Sequence, residues 1–305
     1  MISAGWCLAL ARYPCHETLG APEARVAEFA RPDLIASPEW LAENIGRPDV
    51  RVLDLRWRPD GTAPELYAAG HVPGAIRLDW QTSVVESAEG SDALVLASPD
   101  RMAETMAAAG IADGTTAVLY DDTLGYHAAR AWWSLYAYGF ETARILDGGY
   151  PAWVAIGGGV RSGEDTPSPA RFTPRLQARR RLTTGDVRGM MGSPESVLID
   201  ARGPAEYHGY EGNARRLGHI PGAVNVPVGA THQPGTQRLR DPAALRSLLL
   251  KANITRARRL ICYDQSGLAA SKLAWALTLL GHDDVAVYEG GWAEWGARMD
   301  LPVNQ

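Results

Sequence analysis

A chain of 305 residues, 46% hydrophobic and 21% charged, holds enough material for two domains with separate cores. Its net charge of -5 excludes the basic footprint of a nucleic-acid binder, and no run approaches the ~20 apolar residues that span a bilayer. Three cysteines, Cys7, Cys15 and Cys262, are too few for a disulfide scaffold and lack zinc-ligand spacing. No metal or cofactor is expected. Free thiols of a reducing, cytoplasmic compartment are the reading adopted, with a Cys7–Cys15 pair as the alternative.

Residues 1–30 open on the weakly apolar "MISAGWCLALARYPCHE" without a basic n-region or small-residue cleavage site, and read as a loose N-terminal extension. The first domain is expected over 31–157. Its runs "VRVLDL" (50–55), "AVLY" (117–120) and "ARIL" (143–146) are short and apolar, as in strands buried on both faces. Between them "ASPDRMAETMAAAG" (97–110) and "AARAWWSLYAYG" (128–139) read as helices that stop at glycine. Residues 158–174, rich in Gly, Ser and Pro, read as a surface linker. The "ARRR" at 178–181 is read as a solvated linker edge rather than a binding patch. A second domain follows over 175–305. Alternation of strands and helices predicts α/β architecture, each domain a mainly parallel sheet with helices on both faces.

The second domain repeats the first. "VRVLDLR" (50–56) matches "SVLIDAR" (196–202), and "GHVPGAIRLDW" (70–80) matches "GHIPGAVNVPV" (218–228). "AVLYDDTLG" (117–125) matches "LICYDQSG" (260–267), and "RILDGGYPAW" (144–153) matches "AVYEGGWAEW" (286–295). Four blocks in the same order, at spacings of 142–148 residues, make this a domain-scale duplication.

These blocks resemble the two-domain rhodanese family of sulfurtransferases, over about residues 31–301. The resemblance implies a silent N-terminal domain and an active C-terminal one. In that family a cysteine opens the loop after the strand ending in tyrosine. It takes sulfur from thiosulfate or 3-mercaptopyruvate as a persulfide and passes it to a thiophile such as cyanide.

Here that position, after Tyr263, is Asp264, and the loop runs Gln265, Ser266, Gly267, Leu268, Ala269 without Arg or Lys. A carboxylate forms no persulfide and repels an anionic donor. At a helix N-terminus it is well placed as a cap, so Asp264 is read as filling an anion cradle from within. A role as acid, base or nucleophile is the competing reading. The N-terminal counterpart, Asp121 and Asp122, starts with aspartate as well. Arg202, Glu206 and Trp292 are expected to border the pocket, with Trp295 also near its rim. Asp54–Arg56 and Asp200–Arg202 are expected as buried pairs, and His71 and His219 as turn fasteners. Cys262 reads as core. The resulting expectation is a sulfurtransferase homologue without persulfide chemistry, serving a binding or regulatory role. Its partner is a small sulfur-containing anion or a protein, without nucleic acid or membrane. The alternative is an active sulfurtransferase.

Overall fold

The computed structural model describes residues 28–87, 93–254 and 259–305. Cys7, Cys15 and most of the proposed extension therefore lie outside the described residues. In the first half the elements are β1 (Ile35–Ala36), α1 (Pro38–Asn44), β2 (Val50–Asp54), α2 (Ala63–Ala69), β3 (Ala75–Arg77), α3 (Trp80–Ser83), β4 (Val85–Ser87), β5 (Leu94–Leu96), α4 (Pro99–Ala108), β6 (Thr116–Tyr120), α5 (Tyr126–Ala137), β7 (Ala143–Leu146) and α6 (Gly149–Ala155). The second half holds β8 (Arg181–Leu182), α7 (Thr184–Met190), β9 (Ser196–Asp200), α8 (Pro204–Tyr207), β10 (Val224–Asn225), α9 (Pro242–Lys251), β11 (Arg259–Tyr263), α10 (Leu268–Leu279), β12 (Val285–Tyr288) and α11 (Gly291–Trp295).

Each half builds a five-stranded sheet, β1-β7-β6-β2-β3 and β10-β9-β11-β12-β8, and all pairings within them are parallel. Reading the second sheet from β8 gives the order of the first, so the repeat extends to topology. The antiparallel β4–β5 hairpin belongs to the first half.

Strand alternation sends residues to two faces, and each face meets a different core. From β6, Val118 and Tyr120 join Val50, Val52, Leu146 and Trp153 on the outer face, while Ala117 and Leu119 turn toward the other half. From β11, Ile261 and Tyr263 join Trp292 and Trp295 on the outer face, while Leu260 and Cys262 turn inward. The inward faces, through α5 and α10, share one continuous core. Trp132, Trp133 and Leu135 of one half pack in the same cluster as Leu273, Trp275 and Leu277 of the other. Burial of this kind stabilises by ~25 cal/mol per Å² of apolar surface, so the halves are held by core-like packing.

The expected pairs form. Arg56 and Arg202 each donate to the aspartate two residues back, Asp54 and Asp200, at 2.6 Å with all four side chains buried. Each guanidinium also reaches a carbonyl of the following turn, Gly70 at 2.8 Å and Gly218 at 2.7 Å. His71 and His219 fasten the same turns through Nδ1, 2.8 Å from the Tyr67 carbonyl and 2.9 Å from that of Tyr207.

Three readings are corrected. Arg180 of "ARRR" is buried, stacks on the Tyr136 ring and donates to the Tyr136 carbonyl and Glu141, while Arg181 pairs with Glu289. The guanidiniums meet acceptors brought up by tertiary folding, so this segment is a fastening rather than a solvated edge. Phe29, assigned to the loose extension, is 3% exposed and part of the shared core. Trp292 and Trp295 are 1% and 0% exposed. Their indole N–H groups donate to the carbonyls of Arg216 and Pro302, which places them in the outer core and not at a pocket rim.

Candidate functional site

Both loops begin where a central strand ends on tyrosine. The Tyr120 hydroxyl donates to Asp54 at 2.6 Å and accepts from the Val72 amide. That of Tyr263 accepts from the Ile220 amide at 3.1 Å. The next residue is the aspartate. Its carbonyl accepts from a residue of the following Gly-Gly turn: Asp121 from Tyr150 at 2.9 Å, Asp264 from Trp292 at 2.7 Å. Gly149 and Gly291 adopt φ of 59° and 55°, and a Cβ there would strike those same carbonyls. This close approach explains the paired glycines of both repeats.

The carboxylates then turn back onto the loop amides. Asp264, 4% exposed, accepts from Gly267 N at 2.5 Å and Ala269 N at 3.0 Å. Asp121, fully buried, accepts from Thr123 and Gly125 at 2.8 Å and from His127 and Ala128 at 2.8 and 2.9 Å. Apart from Thr123, which precedes the helix, these are donors that a helix N-terminus leaves unsatisfied. Burial raises the Asp264 carboxyl above the usual range, Asp200 adds to the rise, and the Ala269 and Gly267 amides together with Arg130 oppose it.

Of the remaining expected residues, Gln265, Ser266, Leu268 and Ala269 are half-buried around the loop. Arg202 is committed to Asp200 and Gly218 and lies 4.7 Å from the centre of the Trp292 ring. Glu206 accepts from Gly203 N at 3.2 Å and caps α8. Asp122 pairs with Arg58 at 2.5 Å. Cys262 is buried in the shared core, where burial drives its thiol far above the ordinary cysteine range; it is poorly suited to act as a nucleophile. Among the described residues no group of three or more His, Cys, Asp or Glu could hold a metal ion, and no helix is long and apolar enough to cross a membrane.

The loop itself lacks a cation, but the other half supplies one. Arg130 of α5 is fully buried. It donates through Nη1 to the Gly267 carbonyl at 3.4 Å and through Nη2 to Leu94 at 2.8 Å. It stands where Gly267 would carry a side chain. Burial lowers it to about 10, so it stays charged at neutral pH. The equivalent residue of α10, Lys272, reaches the N-terminal loop, its Nζ 3.1 Å from where a Cβ of Gly125 would lie. The exchange is reciprocal elsewhere as well. Glu289 accepts from Leu96 N at 2.7 Å and Asp147 from Leu239 N at 2.9 Å, each across the seam. Sequence reasoning missed these residues, although a signal was present. A cation recurs at one repeat position inside otherwise apolar helices, "AARAWWSL" and "ASKLAWAL".

A cavity of about 500 Å³ lined by Met190, Glu195, Ser196, Arg259 and His282 sits at the opposite end of the second sheet, where β9 and β11 begin. Ligands of parallel α/β sheets bind outside the carboxyl ends of the strands, which is where Asp264 lies.

A rhodanese-like domain profile matches residues 37–156 and again 183–298. The thiosulfate sulfurtransferase of Rattus norvegicus is 33% identical over 282 residues, covering 87% of this chain and 92% of that one. The 3-mercaptopyruvate sulfurtransferase of Escherichia coli is 30% identical over 275 residues, covering 87% and 96%. The crystal structure of SseA from Escherichia coli, described as a 3-mercaptopyruvate sulfotransferase, superposes with a TM-score of 0.76 at 26% identity, covering 85% of this chain and 99% of that one. With two matched domains, a parallel sheet in each and full-length relatives of this kind, the chain belongs to the rhodanese family in its tandem, sulfurtransferase-like form.

Proposed function

We propose that Asp264 stands at the nucleophile position of the C-terminal domain and that this protein does not carry sulfur there as a persulfide. It serves instead as a cytoplasmic binding or regulatory member of the family, its partner a small sulfur-containing anion or another protein. The observation that carries the reading is the buried Asp264 carboxylate accepting the Gly267 and Ala269 amides. Those donors would otherwise face a bound anion at the helix N-terminus. A carboxylate has no sulfur to donate or accept, and Cys262 is sequestered in the core.

Full-length similarity to thiosulfate and 3-mercaptopyruvate sulfurtransferases favours a second reading, an active enzyme moving sulfane sulfur to a thiophilic acceptor. Thiocyanate formation from thiosulfate and cyanide separates the two, measured beside an Asp264→Cys variant. The first reading expects background turnover in the wild type and a gain in the variant. Equal turnover in both, or a stable sulfur adduct on wild-type Cys262 by intact mass, would sink it.

A further inference from the structure

Lys272 and His232 meet at the seam between the halves, and neither takes part in the reading above. Lys272 is 3% exposed and His232 6%. The Lys272 Nζ contacts His232 Nε2, and the same Nε2 lies 3.0 Å from the carbonyl of Leu124 in the N-terminal loop. His232 begins a strap, residues 232–240, that lies against that loop. Gln237 receives the Leu124 amide and donates to the Asp122 carbonyl, and Arg238 pairs with Asp147 at 3.5 Å.

One nitrogen cannot satisfy both neighbours of Nε2 in every protonation state. The Leu124 carbonyl only accepts, so it requires a proton on Nε2. An ammonium only donates, so it requires a lone pair there. A neutral amine has a lone pair and tolerates the Nε2–H form. The other ring nitrogen, Nδ1, is buried without a hydrogen bond, so a proton can move there without displacing a partner.

We infer that His232 and Lys272 form a one-proton switch across the seam. When Lys272 takes up a proton, the imidazole passes from the Nε2–H tautomer, bonded to Leu124, to the Nδ1–H tautomer, and its hold on the N-terminal loop is released. The step balances without a co-reactant. One solvent proton ends on Nζ, and the imidazole loses a proton at Nε2 and gains one at Nδ1, staying neutral. The Nε2–H···O bond to Leu124 breaks and an Nζ–H···Nε2 bond forms.

The surroundings fit this assignment. Burial lowers the Lys272 amine to about 7, with Asp121 and Asp147 pulling the other way. Burial and Lys272 lower His232 to about 4. The first proton near neutrality therefore goes to the amine. Facing the pair are Asp121 from the end of β6, the Tyr126 ring from α5 at 5.4 Å from Nζ, and Asp147 from the end of β7. From the strap come Arg238, held by Asp147, and Arg240, which donates to the His232 carbonyl. At the equivalent place in the first half stands Arg130, which keeps its proton and has no such switch.

The test uses the full chain labelled with 15N-histidine, with His232 assigned through a His232→Gln variant. Ring-nitrogen chemical shifts followed from roughly pH 5 to 9 report the tautomer directly. In the wild type, Nε2 is expected to change from protonated to unprotonated as the pH falls, with a midpoint near that of the amine, and the Leu124 carbonyl resonance is expected to move with it. Lys272→Met is expected to hold the Nε2–H form throughout. Lys272→Arg, charged at every pH, is expected to hold the Nδ1–H form and serves if the methionine variant does not fold. A single tautomer across the range in the wild type overturns the inference, as does an unchanged transition in either variant.

Discussion

The loop after β6 and the loop after β11 occupy the same place in two copies of one fold, yet they hold their aspartates differently. Asp121 gathers four amides and Asp264 two. The cause is one residue of length. The first loop has Thr123 and Leu124 before its glycine where the second has Ser266 alone after Gln265. Leu124 adopts a left-handed φ of 57°, which lets the longer loop curl around the carboxylate. The strap then covers the first loop through Gln237 and His232. An internal carboxylate can be a complete plug in one copy and a partial one in the other, with no change in residue type.

That comparison can be pressed at points where the copies should agree and at points where they should not. The largest effects should be equal. Asp54→Ala and Asp200→Ala each strand a buried arginine, and each is expected to cost about 3–5 kcal/mol in urea unfolding. A difference of more than about 1 kcal/mol between them would show that the two halves do not share this support.

The loop aspartates should diverge. Asp121→Asn removes a carboxylate satisfied by four amides and is expected to cost about 2–3 kcal/mol. Asp264→Asn should cost less than about 1 kcal/mol, because neutralising this side chain also relieves a buried charge. Thermal denaturation of the pair checks this, and equal losses would break the contrast drawn here.

The glycines come next. Gly267→Ala and Gly125→Ala both place a side chain at positive φ, 89° and 75°, for about 1–2 kcal/mol. Gly267→Ala should be the worse of the two, since its methyl meets the confined Arg130 guanidinium whereas that of Gly125 meets the end of a lysine. Reversal of that order would mean that Arg130 yields more easily than Lys272.

The last comparison is of pH dependence, where Asp264 in the second loop and Lys272 beside the first carry opposite signs. Asp264 has a folded carboxyl raised above its ordinary 3.8. Its burial therefore costs stability above the folded value, and the cost lifts as pH falls toward 3.8. Lys272 is lowered from 10.5 to about 7. Its cost is full below about 7 and lifts as pH rises toward 10.5. Lys272→Met is accordingly expected to stabilise by about 1–3 kcal/mol below neutrality, with the gain shrinking in alkali. The small cost of Asp264→Asn relative to wild type should grow in acid, where the wild-type carboxyl is itself neutralised. Parallel urea titrations at pH 4, 7 and 10 decide both signs.

Much of this was legible in the chain. Apolar runs of four to six residues, glycine stops and the ordered repeat predict the parallel α/β halves, and the helices expected at 97–110 and 128–139 correspond to α4 and α5. The Asp–Arg pairs lie two residues apart, and the histidines sit within a tight turn, so local geometry alone brings their partners together. Readings that depended on distant partners went differently. "ARRR" was charged and therefore looked solvated, but Arg180 found Tyr136 and Glu141 some forty residues away. Trp292 and Trp295 follow a Gly-Gly turn near the loop, but α11 turns both indoles into the outer core of the second half.

The sequence by itself determined the duplicated fold, the place of the two loops and the aspartate that opens each, because these rest on periodicity, local turns and residue identity. Tertiary structure alone decided how many amides each carboxylate collects and that each half inserts one buried cation beside the other's loop glycine. It also decided that a lysine and a histidine 40 residues apart share one nitrogen contact. Those outcomes depend on how two apolar helices face each other across a common core, and no local pattern in either helix specifies what the opposite half will place against it.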